Sequence, residues 1–119
     1  GFAQARVEFG QPIAEHQMIQ AMLAAKSTEA YASRCMVLDS ARAFDDRDPA
    51  IIRKAASCKL YCSERVGRVA DHAVQIHGGS GYMQDYAVEH FYRDVRLFRL
   101  YEGTSQIQRI IIAREMTRA

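Results

Sequence analysis

Proline and glycine are scarce in this chain. Two prolines and seven glycines occur among 119 residues, and they fall in clusters. Long stretches without breakers favour helices. There is no strand-like alternation, no Asn-Gly turn, no internal repeat, no low-complexity tract and no domain linker. No apolar run approaches the 18 or so residues that a membrane span needs. Charge of one sign is lacking too: 16 basic and 14 acidic residues leave +2. With no basic stripe interleaved with stacking aromatics, nothing points to nucleic acid. Three cysteines form an odd count without small-domain spacing, so free thiols in a reducing compartment are expected. The chain opens Gly1-Phe2-Ala3-Gln4, with neither an initiator methionine nor a basic segment leading into an apolar one. No secretory signal is visible, and a piece of a longer protein is expected.

What remains is one domain's worth of ordinary globular composition, 49% hydrophobic and 25% charged. Cys58, Cys62, His72 and His77 look like a zinc set. On one helix, however, Cys58 and His77 lie on the order of 28 Å apart at 1.5 Å per residue. They cannot converge on an ion whose bonds are near 2 Å. Buried thiols and solvated or capping histidines are the preferred reading.

The helices follow from apolar spacing. Ile19, Met22, Leu23, Ala30, Val37, Leu38, Ala41 and Phe44 recur at helical intervals over residues 15–44. Gly10-Gln11-Pro12 reads as a turn, with Pro12 suited to a first helical turn. Asp48 is expected as N-cap and Pro49 as the first-turn residue of a second long helix. That helix carries Ile52, Ala55, Ala56, Cys62, Val66, Val69, Ala73 and Ile76, and stops at His77-Gly78-Gly79. A third helix fits residues 86–97. A fourth begins near Thr104 and Ser105, where Ser105 and Gln108 have capping-box spacing. Two rods of about 45 Å and two shorter ones pack most simply as an all-α, antiparallel four-helix bundle. Apolar residues on the outer side of the fourth helix suggest cover by a partner chain.

Three places carry possible chemistry. The glycines of QIHGGSGY, residues 75–82, let a backbone approach a ligand closely, but the segment follows a helix and fails the dinucleotide spacing. A helix cap and turn is the plainer reading. Arg6 before a turn is either a solvated charge or a fork for phosphate. His16-Gln17 on the first turns of a helix reads as surface. Glu102, between Tyr101 and Gly103, has two readings that residue types leave open. It is a carboxylate stabilised by a helix N-terminus, or a general base whose proton affinity is raised by apolar walls.

ARVEFGQPIAEHQ, AVQIHGGSGYMQDYAVEHFYRDVR and YEGTSQIQRIIIAR, taken together in this order and spacing, resemble the acyl-CoA dehydrogenase family. The resemblance covers nearly the whole chain and is specific in the pairing of QIHGGSGY with YEGTSQIQ. It implies that residues 1–119 are the family's C-terminal all-α domain, with the N-terminal helical and middle β domains absent and the piece alone inactive. It implies FAD as cofactor, an acyl-CoA substrate and a trans-2-enoyl-CoA product. Glu102 matches the base that takes the α-proton while the β-hydrogen leaves as hydride, and its N–H matches a donor to the thioester carbonyl. Arg6, Phe9, Gln17, Gln75, Gly78, Gly79, Thr104 and Gln106 match cofactor contacts, several of them to a neighbouring subunit's FAD. Gly103 matches a position that substrate approaches. Electron-transfer flavoprotein as partner and a homodimer or homotetramer are implied, in a bacterial cytoplasm or a mitochondrial matrix. His90-Phe91 departs from the basic-aromatic pair of many relatives, away from the chemistry. Glutamate at 102 argues against the nitroalkane-oxidising branch and against the isovaleryl and long-chain types. An acyl-CoA oxidase, or a helical oligomerisation module without cofactor, remains as the alternative.

Overall fold

The structure is a computed structural model, and it describes residues 1–118. It is all-α apart from one minimal hairpin. A short helix α1 (Phe2–Ala5) leads into β1 (Val7–Glu8) and β2 (Gln11–Pro12). A 3-10 turn at Ile13–Glu15 follows, then the long helices α2 (Gln17–Asp45) and α3 (Ile51–His77). A second 3-10 turn (Gly78–Tyr82), helix α4 (Ala87–Val95), a third 3-10 turn (Arg96–Arg99) and helix α5 (Ser105–Thr117) complete the chain. The molecule is a rod of 61 × 24 × 23 Å. Among the described residues no helix is long and apolar enough to cross a membrane.

Helix α3 is the axis: α2, α4 and α5 all pack chiefly on it. The core along it is built of small residues, Ala43, Ala56 and Ala70, with Ile13 and Ile76 near one end. Small side chains let helix backbones approach closely but remove little apolar area from water. Polar links supplement them. Buried Glu29 of α2 faces Arg65 and Arg68 of α3 at 3.5 and 3.3 Å.

Four expectations are corrected. The hairpin was not anticipated: Val7 pairs with Pro12 and Glu8 with Gln11 around a two-residue turn. Phe9 (φ 53°) and Gly10 (φ 82°) are both left-handed there, the turn geometry that usually selects Asn-Gly. Pro12 accordingly ends a strand, and the long helix starts only at Gln17. Asp48 does not cap α3 directly. Its N–H returns to the Ala43 carbonyl (2.9 Å) and that of Arg47 to Phe44 (3.2 Å), closing α2 with Arg47 at φ 54°. Its carboxylate accepts from Ala50 N–H at 2.8 Å, and α3 begins one residue later. The third helix shortens to α4 plus a 3-10 turn. Finally, Thr104 caps α5, its hydroxyl accepting from Ile107 N–H at 3.3 Å. Ser105 is free to bond elsewhere, so no Ser105–Gln108 box forms.

The glycine stop after α3 is tight at one residue. A Cβ on Gly81 would lie 2.6 Å from the Val74 carbonyl oxygen and 2.9 Å from His77 Cβ, whereas one on Gly79 would meet nothing within 4 Å. Gly81→Ala is therefore expected to lower stability by about 1–3 kcal/mol, read as a fall in thermal midpoint. Gly79→Ala should leave the midpoint nearly unchanged, and equal effects would contradict this packing.

Candidate functional site

The segment between the third 3-10 turn and α5 is an irregular hinge. Glu102 sits there at φ 53° and Gly103 at φ 86°. Left-handed backbone costs a non-glycine residue roughly 1–2 kcal/mol, so the surroundings must hold Glu102 in place. They do so through its carbonyls. Lys59 Nζ of α3 donates to the Gly103 carbonyl at 2.6 Å. Gln108 Nε2, on a buried side chain of α5, donates to the Glu102 carbonyl at 3.2 Å and to that of Gly103 at 3.3 Å. A hydrogen bond to a charged group contributes about 1.5–3 kcal/mol, enough to offset the backbone strain. A Cβ on Gly103 would be strained at φ 86° and would lie 2.7 Å from Gln108 Nε2, so a side chain there must displace that amide from its bonds.

Just past the hinge, Ser105 Oγ donates to Glu64 Oε1 at 2.7 Å, and Arg99 approaches the same carboxylate at 3.5 Å. The Ser105 hydrogen bond, aided by Arg99 and opposed by burial, holds the Glu64 carboxyl below the usual glutamate range. Lys59 and Glu64, on one helix, thus clamp the two sides of the Gly103-Thr104 junction.

Glu102 is solvent-exposed and helps line a groove of about 550 Å³. Its walls are Val37 of α2, Ala55, Cys58, Cys62 and Val66 of α3, and Phe98 and Tyr101. The groove is apolar but for Ser40, Ser63, Lys59 and Glu102 itself. Cys58 and Cys62 lie 3.8 Å apart at sulfur, and burial chiefly pushes the Cys58 thiol up. Among the described residues, no three His, Cys, Asp or Glu side chains gather to hold a metal ion.

A second cleft, of about 510 Å³, lies where the hairpin meets the end of α3. Arg6, Phe9, Gln75, Gly78 and Gly79 all line it, with His16. Gly78 and Gly79 leave open space where a Cβ would stand, so a ligand can approach their backbone. Arg6 presents its guanidinium beside Glu8, at 3.0 Å. Phe9 is 94% exposed. His16, read as surface, instead braces the hairpin, with Nε2 3.2 Å from the Glu8 carbonyl oxygen and Nδ1 3.2 Å from Gln11 Nε2. Gln17 stands exposed at the start of α2 and does not line the cleft. Thr104 uses its hydroxyl as a cap, and Gln106 is exposed on the first turn of α5. These two lie at the hinge, separated from the cleft by the stretch of α3 from Lys59 to Gln75, about 24 Å of helix. The site residues therefore form two groups. Lys59 and Glu64 were not anticipated: their partners lie 44 and 41 residues away in the chain, a relation with no local signature, and Gln108 was expected only in a capping box.

The family profile described as acyl-CoA dehydrogenase, C-terminal domain, matches residues 1–117. The probable acyl-CoA dehydrogenase YngJ of Bacillus subtilis is 46% identical over 97% of this chain and 30% of its own length. Acryloyl-CoA reductase (NADH) of Anaerotignum propionicum is 42% identical over 97% and 29%. Among solved structures, butyryl-CoA dehydrogenase from Megasphaera elsdenii superposes with a TM-score of 0.94 at 32% identity, over 98% of this chain and 30% of that one. The chain thus spans about 30% of the length of these relatives.

The Glu64–Ser105 bond has a pH signature. A carboxyl with a depressed folded value adds stability that is complete above its unfolded value, about 4.3, and is lost as pH falls through the lower folded value. The thermal midpoint should fall more steeply between about pH 5 and pH 3 in the wild type than in Glu64→Gln. Parallel slopes would mean that Glu64 holds no stabilising bond.

Proposed function

The chain belongs to the acyl-CoA dehydrogenase family, and from that premise we propose that it is the C-terminal domain of an FAD-dependent enzyme that interconverts acyl-CoA and trans-2-enoyl-CoA thioesters. Glu102 is the base. The observation that carries this reading is the placement of its carboxylate on an apolar groove, at a hinge whose two carbonyls are tied away toward α3 and α5. A proton on carbon beside a thioester is removed readily only when the carbonyl is polarised and the base is held within reach. The Glu102 N–H supports the first need: among the described residues it donates to no backbone acceptor. It is free to donate to a thioester oxygen, where charge develops as the proton leaves. The carboxylate supplies the second. In the reductive direction, for which some relatives are named, the same carboxyl returns the proton to the α-carbon.

The second cleft fits the cofactor. An arginine fork suits a diphosphate, two glycines open the backbone to close approach, and Phe9 offers an exposed aromatic face. Arg6, Phe9, Gln75, Gly78 and Gly79 would hold FAD there, with Glu8 yielding part of its hold on Arg6. Flavin held there would supply a hydride acceptor for the β-hydrogen and an electron donor to electron-transfer flavoprotein. Thr104 and Gln106 serve a cofactor beside the hinge, too far along α3 to share the one in the cleft. Two groups facing two cofactors are what a dimer or a tetramer of the whole enzyme requires. Exposed Ile107, Ile110 and Met116 on α5 supply apolar surface for such an assembly. The isolated chain, with its groove open to solvent, does not turn over.

The test uses the full-length flavoprotein. Adding acyl-CoA without oxygen should bleach the oxidised flavin. Glu102→Gln should retain FAD and slow bleaching by at least about 10²–10⁴-fold, the usual worth of a general base. Bleaching at the wild-type rate would remove Glu102 from the chemistry.

A further inference from the structure

We propose that Lys59 is the positioning residue of this hinge, fixing the backbone conformation from which Glu102 meets the substrate. The inference rests on Glu102 acting as the base. Lys59 and Glu102 line the same apolar groove, yet the ammonium is committed to the Gly103 carbonyl at 2.6 Å. Among the described residues it enters no ion pair. That arrangement matters twice. An ammonium bound to the Glu102 carboxylate would hold it in the ionised form and block its approach to a carbon acid. Tethered to the carbonyl, the same charge instead stabilises two successive left-handed residues, Glu102 at φ 53° and Gly103 at φ 86°.

Gln108 alone is a weaker anchor. Its one amide nitrogen is shared between two carbonyls at 3.2 and 3.3 Å, and it sits on α5, the element that the hinge itself leads into. Lys59 sits on α3, so its bond is the one that ties the hinge to the bundle axis. Without it, the Gly103 carbonyl keeps only its share of the Gln108 amide, and a hinge held more loosely lets the Glu102 backbone shift and carry its N–H and carboxylate with it. Misplacement of a catalytic group by about 1 Å costs on the order of 10²-fold in rate. Lysine suits the task by reach: four methylenes cross the groove wall along apolar neighbours while the ammonium finds a polar partner.

The experiment compares Lys59→Met and Lys59→Arg in the full-length FAD holoenzyme. Lys59→Met keeps an apolar stem and removes the donor. At saturating acyl-CoA its flavin-reduction rate should fall about 10- to 100-fold, with KM changed less than about threefold. Amide hydrogen exchange across residues 100–106 should quicken, while FAD content stays at the wild-type level. Lys59→Arg, which keeps a charged donor, should recover most of the rate and the protection. Should Lys59→Met fail to retain FAD, Lys59→Leu, equally without a donor, takes its place with the same expectations. A wild-type reduction rate with unchanged exchange overturns the proposal. So does a rate loss that Lys59→Arg does not relieve. If Glu102→Gln abolishes bleaching while the Lys59 variants behave as wild type, only the role of Lys59 is lost. If Glu102→Gln bleaches normally, the base assignment falls and this proposal with it.

Discussion

Everything in this molecule leans on α3. Helices α2, α4 and α5 each find their main partner there and touch one another far less. The residues buried on it are mostly small, Ala56, Ser63 and Ala70, with Ile76 near one end. Close backbone approach comes at the expense of apolar burial, since an alanine contributes little compared with a leucine or phenylalanine. Directional bonds then carry more of the task of setting register. Glu29 faces two arginines across α2 and α3, Lys54 reaches Asp39 and Asp48 around the connecting loop, and Glu64 accepts from Ser105 of α5. Each of these fixes a rotation about the rod axis that alanine contacts alone would leave loose.

The hinge shows the same logic at a chemical site. Glycine is the residue that left-handed backbone prefers, but the role proposed for this position needs a side chain. Glu102 occupies such a position, and the conformation survives because three donors from two helices hold the neighbouring groups: Lys59, Gln108 and the Thr104 cap bond from Ile107 N–H. A Cβ on Gly103 beside it would push the Gln108 amide out of the space from which it holds both carbonyls. A strained carboxylate, a glycine and a buried glutamine therefore form one unit, and the lysine joins that unit to the bundle.

Much of this was legible in the amino-acid order, and the reasons divide cleanly. Apolar spacing marked both long rods, and the glycines after His77 marked where the second ends. Thr104 and Ser105 marked the start of α5, though not which of them caps it: both are competent, and the choice fell to Glu64 on another helix, which takes the Ser105 hydroxyl. The hairpin was missed because its strands are two residues each and its turn reads Phe-Gly. Two residues cannot display alternation, and phenylalanine is a poor sign of left-handed backbone. The grouping of Arg6 and Phe9 with Gln75, Gly78 and Gly79 was suggested only by family resemblance. Nothing in their spacing says that some seventy intervening residues fold back to one cleft. Lys59 was passed over because, within SCKLYC, it resembles any lysine on a helix.

Helix α3 also sets the distance between the two groups of site residues. Gln75 belongs to the cleft and Lys59 to the hinge, and the α-helix between them is continuous from Ile51 to His77. One residue more or less in that interval would shift the cleft by only 1.5 Å, but would rotate it by about 100° about the rod. An arginine fork aimed at a cofactor would then face another direction relative to Glu102. The side chains within the interval are tolerant of exchange where exposed, but their number is not. Gly67, midway, does not relax this constraint. It lies within the helix and faces the Arg99 guanidinium, which a Cβ would meet at ordinary contact distance of 3.7 Å. The helix runs through Gly67 unbroken from Ile51 to His77. The spacing between the hinge and the cleft is thus set by a residue count along one continuous helix, and proline, which breaks helix interiors, is absent from it.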